Sequence, residues 1–283
     1  MSNEQLTCRY CKNTFPNSRT NCPHCALPQL FPNVSNAESP KEKQKLEDSF
    51  LRKQRECAAD GRRNEFDRFH AAASNSHAQF ACPLLKLHRE IAAGTDIFET
   101  YYQLEELRLR ATAQPDLDWD KLRPQAEIEL LGSHQNIERL HYACLSLDWE
   151  SLVSYGDCLV RLDESKISHR ASCFQGNTAV LFFLKGSFAS LLRSTWEDRG
   201  KIAVTIAANR LPGGALDTEF AKILVALGKD PVDDEFIEVH VFGTMTVRTF
   251  AEVKFLASCG GRRESVYRDA IIEKLDQANI QHA

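Results

Sequence analysis

Phe236-Ile237-Glu238-Val239-His240-Val241-Phe242 is the stretch on which the fold class turns. Its apolar and polar residues alternate with the period of two that sends successive strand side chains to opposite faces. Ile237, Val239 and Val241 point one way, into a core. Phe236, Glu238, His240 and Phe242 point the other way. Working outward, short runs of the same kind begin after Gly132. They predict strands over Leu140–Leu147, Cys158–Leu162, Thr178–Leu184, Lys201–Ala207, Lys222–Leu227, Phe236–Phe242 and Thr244–Phe250. Helical stretches over Phe188–Glu197 and Val266–Gln277 lie between and after them. Strands and helices mixed without regular βαβ alternation indicate an α+β domain over 132–283, not a doubly wound sheet.

The second face of the 236–242 strand places a carboxylate and an imidazole side by side between aromatic rings. An apolar wall with a few convergent polar groups describes a small-molecule cleft, and a carboxylate held there would have a perturbed pKa. A half-exposed strand with mixed residues produces the same pattern.

The segment Glu235–Gly243 resembles the closing strand of ADP-ribosyltransferase-type domains of bacterial toxins, where a strand-borne glutamate follows an aromatic or β-branched residue. Upstream, Tyr155-Gly156-Asp157-Cys158-Leu159-Val160-Arg161-Leu162 and His169-Arg170-Ala171-Ser172-Cys173-Phe174 resemble the Tyr-Gly strand and the Ser/Thr-rich segment of the same domains, over residues 137–257 in all. The resemblance implies a split sheet, NAD as substrate, and loss of nicotinamide to leave an oxocarbenium ion that a macromolecular target attacks. It assigns catalysis to Glu238, with His240 beside it, and NAD contacts to His141, Tyr155 and Ser172. Members with a Glu-x-Glu or Gln-x-Glu pair carry the acid second, where this chain has His240, and the family's Ser-Thr-Ser triplet is reduced here to Ser172-Cys173. A toxin or defence setting, and a neutralising partner, would follow from the resemblance.

At the other end, Cys8-Arg9-Tyr10-Cys11 and Cys22-Pro23-His24-Cys25 form two CxxC knuckles ten residues apart. Each knuckle aims two thiolates at one ion, and four thiolates complete tetrahedral zinc. Residues 1–33 are too few to bury a core, so metal binding would supply their folding free energy. The expectation is a zinc ribbon with Cys8, Cys11, Cys22 and Cys25 as ligands. Four thiolates leave no open position for catalysis, so the zinc would be structural. Its role stays open between a knob for protein contact and a nucleic-acid contact through Arg9, Tyr10, Lys12 and Arg19.

Residues 34–40 read as a linker, and 41–131 as a helical arm and subdomain. Ser39-Pro40 opens a helix, with proline at the first helical position. From Lys41 to Arg68, 16 of 28 residues are charged, which describes a solvated helix. Leu84, Leu87 and Ile91 form one further apolar stripe at helical spacing, and Ile97, Tyr101 and Leu104 another.

The chain has 283 residues, 43% apolar and 26% charged, an ordinary globular composition. Its longest apolar run, Ala179–Leu184, falls far short of the roughly 20 residues that span a bilayer, so no membrane partner is expected. The first five residues carry no leader pattern, which points to the cytoplasm. There cysteines stay reduced, and Cys57, Cys82, Cys144, Cys158, Cys173 and Cys259 read as small core residues. Net charge is −4, split as +3 over residues 1–70 and −7 over the rest. A mildly basic front suits contact with a protein or nucleic-acid target through residues 1–70. Neither a P-loop nor a dinucleotide GxGxxG is present, so ATPase and dehydrogenase readings lack support. Two functions therefore compete. One is an NAD-dependent ADP-ribosyltransferase-like effector that recognises its target through the zinc ribbon. The other is a non-catalytic zinc-ribbon adaptor that binds nucleic acid or protein.

Overall fold

The structure, a computed structural model, describes residues 5–7, 13–16, 23–24, 31–92, 97–106, 121–131, 137–149, 152 and 155–283. All four cysteines of the expected zinc site lie outside them. Within residues 1–33 a two-stranded antiparallel hairpin is described, β1 (Gln5–Thr7) with β2 (Thr14–Pro16). In the chain it flanks the first CxxC.

The α+β class is as expected. Eight strands make one mixed sheet: β3 (His77–Cys82), β4 (Leu140–Ser146), β5 (Cys158–Leu162), β6 (Ala171–Phe174), β7 (Arg193–Thr195), β8 (Glu238–Phe242), β9 (Phe250–Phe255) and β10 (Gln281–His282). They run in the order β10-β9-β5-β3-β4-β8-β6-β7, antiparallel except for the β10–β9 pair. Among the described residues this sheet is continuous, not split in two.

Eleven α-helices are described: α1 (Pro32–Ala37), α2 (Pro40–Ala59), α3 (Arg63–Ser74), α4 (Leu84–Leu87), α5 (Tyr101–Glu106), α6 (Arg123–Leu131), α7 (Glu164–Ile167), α8 (Thr178–Lys185), α9 (Arg199–Ala207), α10 (Phe220–Leu224) and α11 (Arg262–Gln277). α4 runs on into a π-helical turn, His88–Ala92. α2 begins as its sequence indicates, with Pro40 in the first turn and the Ser39 hydroxyl accepting from the Glu42 amide. Gly61, at φ +73°, breaks the charged stretch into α2 and α3.

Several sequence expectations are corrected. Of the stretches read as strands, 178–184 and 201–207 lie in the helices α8 and α9, while 222–227 begins in α10 and runs on into an isolated antiparallel bridge of Ala226 with Glu235. α9 is largely buried, and in α8 the exposed Phe183 and Leu184 are apolar like the buried positions, so in both helices the apolar residues run without the period that separates helix from strand. Local chemistry decides α8: the Asn177 side chain accepts from the Ala179 and Val180 amides, and Gly186 closes the helix at φ +69°. Residues 244–249 hold an isolated bridge of Met245 with Phe98 and a 3-10 turn over Val247–Thr249 that leads into β9, and the expected helix over 188–197 contains β7. The expected linker over 34–40 holds most of α1, which buries Asn33, Val34 and Ala37. Finally, His77–Cys82, inside the stretch read as helical, is a strand at the middle of the sheet. It pairs with β4 on one side and β5 on the other.

Residues directly opposite in an antiparallel ladder share a face. Tyr142 pairs with His240, Cys144 with Glu238, Ser172 with His240 and Phe174 with Glu238, so these side chains share one face of the sheet. α6 and α8 close over it through Ala126, Leu130, Leu131 and Phe182, with Phe31 beside α1. The opposite face, with Ala143, Val239, Val241 and Cys173, packs in the larger core that includes residues of α2, α3 and α9. Cys57, Cys82, Cys144, Cys158, Cys173 and Cys259 are buried free thiols, as expected.

Candidate functional site

β8 carries the site, and α8 completes it. Glu238 and His240 project from alternate positions of one strand, and the start of α8 delivers Thr178 onto them. The Glu238 Oε2 atom accepts from the Thr178 amide at 2.9 Å and from its hydroxyl at 2.5 Å. His240 Nε2 lies 2.9 Å from the same oxygen and 3.1 Å from Thr178 Oγ1. The Thr178 hydroxyl has one proton, which goes to Glu238, so Oγ1 accepts from His240 and the Nε2 proton serves both oxygens. The first amide of a helix and its dipole favour a carboxylate in this place.

This triad is sealed, with Glu238 3% and His240 2% exposed. The His240 ring stacks on Phe174 at 6.1 Å and meets Tyr142 edge-on at 5.5 Å. Burial opposes the charge of Glu238. The hydrogen bond and charge of His240, with Arg123 and Thr178, outweigh it and hold the carboxyl below its ordinary value.

A second buried carboxylate, Glu127 on α6, lies near this triad and was not singled out from the sequence. The Tyr102 hydroxyl donates to it at 2.6 Å, and Arg123, one turn earlier, lies 3.4 Å away. The Arg123 guanidinium sits over the Tyr101 and Tyr142 rings, 5.0 and 5.2 Å from their centroids. Burial raises the Glu127 pKa against the pull of Arg123, with a smaller push from Glu238. The two carboxyls are thus driven apart, Glu127 toward the acid and Glu238 toward the anion. The sequence signal was an Arg/Glu pair at i, i+4 on a helix whose remaining inward residues are apolar.

Ser172 joins the group from β6. Its Oγ accepts from Asn33 Nδ2 at 3.2 Å, and the same amide donates to the Arg170 and His240 carbonyls at 3.0 and 2.9 Å. The cleft at this place, lined by Asn33, Asn36, Ser172, Phe174, Arg193 and His240, encloses only about 10 Å³. That is room for one water.

The structure brings Glu238, His240 and Ser172 together. His141 is not with them: it pairs with Val241 and therefore faces the other side of the sheet. There its ring lies 6.4 Å from Phe98, and burial, with the charges of Lys86 and Arg170, lowers its pKa to about 3. Tyr155 bonds elsewhere, donating to Asp234 Oδ2 at 3.1 Å, with burial and that carboxylate raising its pKa and a smaller push from Glu238. Cys8, Cys11, Cys22 and Cys25 lie outside the described residues. No family model and no curated protein matches this chain.

Proposed function

We propose that this protein is a non-catalytic adaptor: its N-terminal zinc ribbon contacts a protein or nucleic-acid target, and its α+β body acts as scaffold. One observation carries the preference over NAD chemistry. The Glu238 oxygen that hydrogen-bonds is already used by Thr178 and His240 in a sealed interior, the cleft beside His240 and Ser172 has room for one water, and His141 stands on the opposite face. A dinucleotide site requires a cleft of some hundreds of Å³ with those groups converging on it. The ribbon half of the proposal is supported by the spacing of Cys8, Cys11, Cys22 and Cys25, which suits one tetrahedral zinc.

The competing proposal, an ADP-ribosyltransferase-like effector, draws its support from the contact between Glu238 and His240 against the rings of Tyr142 and Phe174. One experiment separates the two. Purified protein and Glu238→Gln are incubated with NAD, with and without cell lysate, and nicotinamide release is followed. The adaptor reading expects no release from either. Release by the parent and not by the variant overturns it. In parallel, metal analysis is expected to find one zinc per chain, lost in Cys8→Ser/Cys11→Ser, and no bound zinc in the parent would remove the ribbon.

A further inference from the structure

β8 ends at Gly243, whose φ of +85° turns the chain sharply. Two guanidinium groups converge on this turn. Arg170 Nη1 and Arg139 Nη2 lie 3.6 and 3.9 Å from where a Cβ on Gly243 would stand. Arg170 is 8% exposed, yet its bonded partners are neutral carbonyls: Lys166 from Nε, Phe242 and Thr244 from Nη1. Burial shifts its pKa downward, and among the described residues no acid offsets it. Among the described residues neither Arg139 nor Arg170 forms an ion pair. A buried cation without a counter-charge is costly, and a second guanidinium beside it makes the place more attractive to an anion.

Aromatic rings adjoin the cations. Arg139 lies over the Phe242 ring, 5.0 Å from its centroid. Phe31 packs 5.6 Å from Phe242 and 5.8 Å from His169. His169 is exposed and Phe31 half-buried, so both rings reach the surface. Cations that track a phosphate beside rings that stack bases are the two elements of single-strand recognition. An acidic peptide would use the cations and leave the rings idle.

We infer that the Gly243 turn is an anion site: Arg139 and Arg170 hold a phosphate of single-stranded nucleic acid, and Phe31 and His169 contact the adjoining base. The inference deepens the adaptor reading by moving part of the target contact onto the α+β body. With so few cations the binding is weak and sensitive to salt.

The test is fluorescence anisotropy of 5′-labelled twelve-nucleotide oligo-dT and oligo-rU with the intact chain over a salt series. Arg139→Ala, at an exposed position, is expected to weaken binding at least several-fold and to flatten the log–log salt slope by about 0.7, one phosphate contact. Arg139→Lys should restore most of the slope. Phe31→Ala should weaken binding with the slope unchanged. Matching thermal unfolding of Arg139→Ala and the parent keeps the comparison to folded protein. Absence of parent binding to either oligonucleotide, or equal binding by Arg139→Ala, overturns the inference. So does capture of a labelled poly-glutamate peptide in place of the oligonucleotides. Cys8→Ser/Cys11→Ser separates the two proposals. Binding lost there but kept in Arg139→Ala sinks the turn site and leaves the ribbon reading intact. The reverse result keeps the turn site and removes the ribbon as the contact.

Discussion

Glu238→Ala tests whether the triad is a sealed structural element. The substitution strands two buried donors, the Thr178 amide and the Thr178 hydroxyl, and leaves His240 Nε2–H with Thr178 Oγ1 as its one remaining acceptor. Each stranded donor costs ~1–3 kcal/mol, and breaking a buried pair by removing one partner costs about 3–5 kcal/mol. These figures overlap, because the same bonds are counted in both. The expected loss is about 4 kcal/mol, a large part of the 5–15 kcal/mol that holds a typical domain. Glu238→Gln keeps the volume and an acceptor for Thr178 while giving up the charge opposite His240, and should lose about 2 kcal/mol. Urea unfolding followed by circular dichroism reads both values from the midpoint and slope. A Glu238→Ala variant within about 0.5 kcal/mol of the parent would behave like a surface substitution, and the sealed triad would be refuted. A more stable Glu238→Gln would point the same way, since replacing strained active-site groups often stabilises a protein.

Three further outcomes are expected. Glu90, 3% exposed in the π-helical turn, has a pKa raised to about 7, chiefly by burial. A folded-state pKa above the unfolded value stabilises below the unfolded pKa, and that stability is lost as pH rises through about 7. Urea midpoints should therefore fall between pH 5 and pH 8, and Glu90→Gln should flatten that dependence; an equal slope in the variant would contradict it. Asn33→Ala removes the amide that bridges Arg170, Ser172 and His240. It should cost ~1–3 kcal/mol and release α1, seen as faster hydrogen exchange over residues 31–38, whereas unchanged exchange would mean that α1 is held by other contacts. The six buried thiols have their pKa raised by burial at Cys57, Cys82, Cys158, Cys173 and Cys259. All six should stay silent to a thiol reagent in the native protein and react after denaturation; rapid native labelling of any one would show that its packing opens.

Some of this was legible residue by residue. The alternation in Phe236–Phe242 correctly separated Val239 and Val241 from Glu238 and His240. Ser39-Pro40 marked the start of α2, and the scattered cysteines read as core. Alternation says which side chains share a face, but not what lies on top of that face. Phe236–Phe242 reads the same whether its polar side opens on a cleft or is roofed by helices. The roof includes α8, whose apolar stretch 178–184 reads equally well as a strand.

What the sequence by itself determined is therefore local: strand alternation, helix starts, and the pairing of cysteines at ligand spacing from which a zinc site is proposed. The tertiary structure alone decided which of these meet. His141 and Glu238 both lie on strands that the sequence marks, yet whether they share a face depends on the register of β4 against β8. A one-residue slip would bring His141 to the Glu238 side. The strand His77–Cys82 likewise owes its place to partners 65 to 82 residues further along the chain. Those long-range pairings, and the helices that cover one face, turn a candidate cleft into a closed, hydrogen-bonded interior.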